Sequence, residues 1–349
     1  MKDAIQEEAL PKALGYIMPA EWEFHSGTWI TWPHNIETWP NSLPEVEEIY
    51  AKMVEALSGN EQVNILVDNI EMKNHVLEKM KPVSENIFTH IVETCDSWIR
   101  DYGPIFIVNR HERKLALIDW RFNAWGGKYE PWPYDDYVPS KIASILDILV
   151  FKPDIILEGG AIEVNGLGSC LTTESCLLNP NRNPSLSKVQ IEEHLKNYLG
   201  LSNIIWLKGG IAGDDTDGHI DDIARFVNAS TVVCCLEEDQ SDENYSVLME
   251  NYTRLLNASD HEGKKFSIVP LPMPGKIEGE KRLPASYVNF YIGNDVVLVP
   301  TFDHPNDKRA LRILQALFPR REVAGIYSKA LVEGFGAFHC LTQQQPNSH

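Results

Sequence analysis

Four short segments hold residues whose types and spacing could do chemistry. Asp214–Asp222 reads DDTDGHIDD and sets His219 among carboxylates. Trp98–Pro104 reads WIRDYGP and puts an indole three residues before Asp101. Leu157–Gly160 is LEGG, with Glu158 closing an apolar run just before two glycines. Gly334–Pro346, GFGAFHCLTQQQP, brings a glycine-spaced stretch up to Cys340. Together they offer a thiol, an imidazole, three carboxylates and tryptophan. That set suits attack on a guanidinium. Two carboxylates can bind its N–H groups bidentately, each pair giving about 4 kcal/mol of gross Coulomb energy at an effective dielectric of ~20. A thiolate is a soft nucleophile that the bound cation stabilises, and a protonated histidine can deliver a proton to departing ammonia.

Each segment also has a plainer reading. Asp217, His219 and Asp221 alternate, so on an extended strand all three side chains would face one way. A solvated acidic loop, a manganese or zinc site, and a general acid/base histidine beside a carboxylate all fit. An EF-hand fails, because counting from Asp215 the sixth position is Ile220 rather than glycine. A binuclear manganese ureohydrolase would share Asp-x-His-x-Asp but needs a Ser-x-Asp-x-Asp segment, which is absent. Trp98 could be core packing or a cation–π face. Arg100 reads as structural, pinning an acidic neighbour. Glu158 could serve a turn or orient a catalytic histidine. Cys340 could be inert, but Gly334 and Gly336 let backbone approach a ligand there. Strand neighbours point to opposite faces, so His339 is a poor base for Cys340, and His219 is the expected partner.

Alternating helices and strands must position these groups. A helix is predicted over Pro44–Leu57 behind a Ser42 cap, with Val46, Ile49, Tyr50, Met53, Val54 and Leu57 at helical spacing. Ser187 and Gln190 have capping-box spacing, and Gly200 supplies a stop. A further helix is expected over Asp307–Phe318. Strands are expected at Val63–Val67, Ile105–Val108, Leu115–Ile118, Ile204–Leu207, Thr231–Leu236, Tyr287–Ile292 and Val296–Val299. The unusual segments recur at a rough period: 57 residues from Asp101 to Glu158, 61 on to His219, and 121 to Cys340 with SYVNFY (Ser286–Tyr291) between. Division of 349 residues into five gives units of about 70, and five modules round a shared centre would bring the segments together. No linker or composition shift divides the chain, so residues 1–349 read as a single catalytic domain.

Composition narrows the partners. Lys and Arg total 31 against 50 Asp and Glu, a net charge of −19, which argues against nucleic acid or an anionic membrane and for a cationic ligand. The start, MKDAIQEEAL, lacks the basic and apolar regions of a signal peptide, and no apolar run approaches the ~18 residues of a membrane span. The six cysteines form no CxxC pair, so a cytoplasmic location is expected and a zinc ribbon is not.

With these segments in hand, the chain resembles the agmatine deiminase family, which belongs with the bacterial-type peptidylarginine deiminases. MPAEWEFHSGTWITWPHN (Met18–Asn35), DSWIRDYGP, LEGGAIEVNG, DDTDGHIDDIARF, LPASYVNFY and HCLTQQQP carry the resemblance in the family's order. It implies an α/β fold, a five-bladed pseudo-symmetric propeller of ββαβ modules (pentein). It also implies Cys340 as nucleophile, His219 as general acid/base, Glu158 orienting His219, Asp101 and Asp221 gripping the guanidinium, and Trp98 lining the channel. No cofactor or metal is expected, and the resemblance suggests a homodimer. The implied reaction converts agmatine to N-carbamoylputrescine and ammonia. A peptidylarginine deiminase, an amidinotransferase, or a polyamine-binding protein that leaves Cys340 unmodified are the alternatives. The family's usual approach to the nucleophile is three glycines and an asparagine before Ile-His-Cys, whereas here Phe335 and Ala337 change the pocket wall.

Overall fold

The computed structural model describes residues 9–130, 132–277 and 281–348, so most of the acidic N-terminal stretch lies outside the described residues. Its strands are β1 (His25–Thr31), β2 (Gln62–Val67), β3 (Ile87–Ile91), β4 (Ile105–Asn109), β5 (Lys114–Ile118), β6 (Leu149–Phe151), β7 (Glu163–Val164) and β8 (Ser169–Thr173). They continue as β9 (Asn203–Leu207), β10 (Ala224–Asn228), β11 (Thr231–Leu236), β12 (Ser267–Pro272), β13 (Tyr291–Ile292), β14 (Val296–Thr301), β15 (Glu322–Tyr327) and β16 (Gln343–Pro346). Five mixed sheets result: β16-β1-β2-β3, β4-β5-β6, β7-β8-β9, β10-β11-β12 and β13-β14-β15.

One pattern repeats in each sheet. An inner strand pairs antiparallel with the next, which pairs parallel with a third: β4 with β5 with β6, for example. A parallel partner cannot be reached by a hairpin, so a helix must cross over. The crossovers are α1 (Leu43–Ser58), α2 (Val138–Leu146), α3 (Lys188–Leu199), α4 (Tyr245–Asn257) and α5 (Asp307–Leu317). The first module is completed by the end of the chain, because β16 pairs antiparallel with β1. This is the five-module ββαβ propeller.

Most predicted elements appear within a residue or two. The Ser187–Gln190 capping box forms, and Gly200 ends α3 in the left-handed region. Ser42 does not cap α1; its Oγ donates to Glu333 Oε2 at 2.8 Å instead. The strand expected over Tyr287–Ile292 shrinks to β13, Tyr291–Ile292. Ser286 Oγ donates to the Asp222 carbonyl and the Asn289 N–H to the Ser286 carbonyl, so a turn replaces the ladder there.

The five inner strands are tied by buried charge. Glu21, ahead of β1, takes Arg225 of β10 at 2.8 Å, Arg100 at 3.3 Å and His339 at 2.9 Å. It also accepts the Ile292 N–H of β13 at 2.8 Å. Arg225 is held from its other side by Glu163 of β7 at 2.6 Å. Removing one partner strands the others uncompensated. Glu21→Ala is therefore expected to cost about 3–5 kcal/mol, read as a lowered midpoint in urea unfolding.

Candidate active site

Each inner strand is entered through a turn, and the turns before β4 and β16 open onto a cavity of about 750 Å³, lined in part by Trp98, Asp101, Trp125, Phe335 and Cys340. Glu158, His219 and Asp221 lie behind it, essentially sealed from solvent. The glycines explain the approach. At Gly160 a Cβ would fall 2.5 Å from His219 Nδ1, 2.7 Å from Asp101 Oδ1 and 3.1 Å from Asp221 Oδ2. Gly336 stands equally close to Trp98, whose ring centroid is 5.4 Å from that of Trp39.

Asp101 is fixed at both oxygens. Oδ1 accepts the Gly160 N–H and Oδ2 accepts Trp125 Nε1, each at 2.9 Å. Burial raises its pKa to about 6, against the opposing pull of His219. His219 Nδ1 lies 3.5 Å from Asp101, and neither ring nitrogen has a hydrogen-bond partner among the described residues. Burial alone would push His219 down, but Asp101, Cys176 and Glu158 more than offset it and raise its pKa well above 6.5. Glu158 Oε1 accepts Arg182 Nε at 2.6 Å, which leaves Oε2 without a partner.

Asp221 Oδ2 takes His339 Nδ1 at 2.7 Å and lies 3.5 Å from Cys340 Sγ. Burial and the carboxylates of Asp221, Asp222 and Asp101 push the Cys340 thiol well above 9. Three features of the sequence reading change here. Asp217, His219 and Asp221 do not share a strand face, because Asp217 and Gly218 have φ of 69° and 101° and Ile220–Asp222 is a single 3₁₀ turn. Asp217 turns away to Arg182 at 2.6 Å and Lys128 at 2.8 Å. His219 makes no hydrogen bond to Cys340; the sulfur meets Asp221 and Asn289, with Asn289 Nδ2 at 3.1 Å. Asn289 and Cys176 were not singled out in the sequence. SYVNFY falls at the right step of the period for Asn289, whereas nothing in the spacing marks Cys176.

The one group of described residues able to hold a metal is Glu158, Cys176 and His219, whose donor atoms lie within 4.8 Å of one another. Arg182 already supplies a cation to Glu158, so a second would meet repulsion. Asp217 and Asp221 diverge, and a binuclear cluster on the Asp-x-His-x-Asp segment has no geometry to use. Gly160→Ala is expected to fold yet lower kcat/KM for the substrate at least ~100-fold, since sub-ångström displacement of such groups is costly. Circular dichroism beside the kinetics separates the two effects.

Known proteins resemble this chain in both sequence and fold. Residues 17–346 match the Porphyromonas-type peptidyl-arginine deiminase family. The chain is 38% identical to an agmatine deiminase of Medicago truncatula, over 97% of this chain and 98% of the relative. It superposes on the agmatine deiminase of Enterococcus faecalis with a TM-score of 0.92 at 34% identity, covering 98% of each chain. The C. jejuni agmatine deiminase, solved as a cysteine-to-serine variant with substrate bound, gives a TM-score of 0.86 at 34% identity, covering 95% of this chain and 96% of that one. At this extent of match the chain belongs to the Porphyromonas-type peptidyl-arginine deiminase family.

Proposed function

We propose that the chain hydrolyses agmatine to N-carbamoylputrescine and ammonia through a covalent adduct on Cys340. Its relatives named as agmatine deiminases match over almost their whole length. The observation that carries the choice of substrate is the cavity wall. Among the described residues neither lysine nor arginine lines it, whereas Glu37, Glu93, Glu130 and Asp215 do. A substrate carboxylate, as in free arginine, would find no cation to meet it. The ammonium of agmatine would find anions.

In this reading Asp101 and Asp221 hold the guanidinium N–H groups, and Trp98 bounds its path. Burial and the field of Asp101, Asp221 and Asp222 keep the Cys340 thiol protonated; the cation offsets that field, so the thiol gives its proton to solvent as substrate binds. Sγ bonds to the guanidinium carbon and His219, as imidazolium, protonates the departing nitrogen while the C–N bond breaks. Neutral His219 then takes a proton from water, the hydroxyl adds to the same carbon, and the C–S bond breaks as the hydroxyl proton passes to sulfur, giving the ureido product and the free thiol. Glu158, on the far side from the cavity, keeps the charged imidazole in place. All five modules contribute, and residues 1–349 act as a single catalytic domain. No helix among the described residues is long and apolar enough to cross a membrane.

Product analysis tests this directly, with agmatine, arginine and an arginine peptide in separate reactions, each with and without EDTA. Ammonia and a ureido product from agmatine alone, indifferent to EDTA, are expected. Urea that disappears with EDTA would replace the mechanism, and turnover of the peptide would change the substrate. Cys340→Ala should abolish turnover while agmatine still binds by calorimetry; retained activity would remove the thiol from the reaction.

The pH profile follows from Asp101. Its raised pKa means it takes up a proton as pH falls through about 6 and loses the charge that grips the cation. Below about pH 6 the fall in kcat/KM with falling pH is therefore expected to steepen by a further ~tenfold per unit, beyond the slope the protonated thiol already imposes. A slope unchanged from pH 7 down to pH 5 would show that Asp101 does not hold the substrate as an anion.

A further inference from the structure

The modules repeat one device: a site residue within the few positions before the inner strand. Asp101 precedes β4, Glu158 precedes β7, His219 and Asp221 precede β10, and Cys340 precedes β16. The remaining inner strand is β13, and the residue in the corresponding turn is Asn289. It is buried to 1% exposure and bound at both ends of its amide.

Asn289 Nδ2 donates to Cys340 Sγ at 3.1 Å and to Asp222 Oδ1 at 2.9 Å. Its Oδ1 accepts the backbone N–H of His339 at 3.1 Å and of Cys340 at 3.4 Å. Those two N–H groups settle which end is which. Turning the amide over would face N–H against N–H and oxygen against the Asp222 carboxyl. We propose that Asn289 is the positioning residue of the nucleophile, clamping the backbone at His339 and Cys340 while its amide N–H donates to the sulfur and favours the thiolate. This rests on reading Cys340 as the nucleophile.

Such a donor has work to do there. The sulfur is surrounded by Asp101, Asp221 and Asp222, which oppose a further negative charge. Beside the imidazole of His219 and the substrate, the opposing groups are the backbone N–H of Ala337 and the Asn289 amide. A hydrogen bond that strengthens when its acceptor becomes an anion shifts the acceptor's pKa down by about one unit or more.

The test is alkylation of the full-length protein by iodoacetamide at pH 8, followed peptide by peptide in mass spectrometry. Cys95 lines the same cavity and is half-buried, so it serves as the internal reference. In Asn289→Ala the Cys340/Cys95 rate ratio should fall about tenfold and recover as pH rises, which a loss of packing alone would not produce. Asn289→Asp keeps the shape and the acceptors but removes the donor, and it should lower the ratio at least as far. If Asn289→Ala does not fold, Asn289→Asp carries the measurement. In agmatine kinetics kcat should drop by about ten- to a hundredfold with KM within about threefold. A wild-type ratio in a folded variant overturns the role of Asn289. A wild-type enzyme inactive on agmatine, with the ratio still lowered in the variants, would instead overturn the proposed substrate and leave this inference standing.

Discussion

A carboxylate that meets two guanidinium groups and an imidazole inside the protein is the constraint on which the remaining architecture rests. Glu21 holds Arg225, Arg100 and His339, and Arg225 passes the connection on to Glu163. Charges this deep are tolerated only when each has its partner in place. The partners come from different modules, so satisfying Glu21 fixes how the modules sit against one another. His339 then carries that placement to Asp221, and its neighbour in sequence is Cys340. The turn that bears the thiol is thus set by an ionic cluster lying behind it. Hydrophobic packing alone, which lacks direction, would not give such exact placement.

The cavity side of this cluster is built in the opposite way. Asp101, Asp221, Asp222 and Glu158 crowd round Cys340 and His219, and partnerless atoms remain at Glu158 Oε2, Asp221 Oδ1 and both His219 nitrogens. Within the Glu21 cluster each carboxylate faces a cation; at the floor of the cavity negative charge is in excess. Burial first, and then that excess, raise the pKa values of Asp101 and Cys340. A planar cation with several N–H donors removes it. In the proposed mechanism the thiolate is therefore withheld until such a ligand arrives, which guards the sulfur against other electrophiles.

The periodicity and the four motifs were legible because each has a local cause. Helix stripes, the Ser187–Gln190 box and the glycine stops are decided within a few residues. The period of the unusual segments exposed the modules, since every inner strand needs a turn before it. Arg100 was readable as a pin for an acid, and Glu21 is that acid. What sequence did not expose depends on backbone conformation. The DTDGHID segment alternates on paper, yet positive φ at Asp217 and Gly218 sends Asp217 to Arg182 and leaves His219 and Asp221 in the site. Likewise SYVNFY has strand composition, but Ser286 and Asn289 spend their polar groups on Asp222 and Cys340, leaving only Tyr291–Ile292 in the ladder. Cys176 reaches His219 only through the fold.

Local strain marks the same region. Ala124, Trp125 and Phe335 all have φ between 52° and 69° and all line the cavity. A left-handed conformation costs a residue with a side chain about 1–2 kcal/mol, so each must be held by something stronger. For Trp125 the restraint is visible: its Nε1 donates to Asp101 Oδ2 at 2.9 Å, and its ring meets Phe122 edge-on at a centroid distance of 5.2 Å. The twisted backbone aims the indole at the carboxylate. Phe335 stands where glycine would carry no such cost, two residues before Ala337, whose N–H reaches Cys340 Sγ. Its ring packs partly into the cluster of the fourth and fifth modules while forming cavity wall. Strain retained at that position trades stability for an apolar surface beside Cys340.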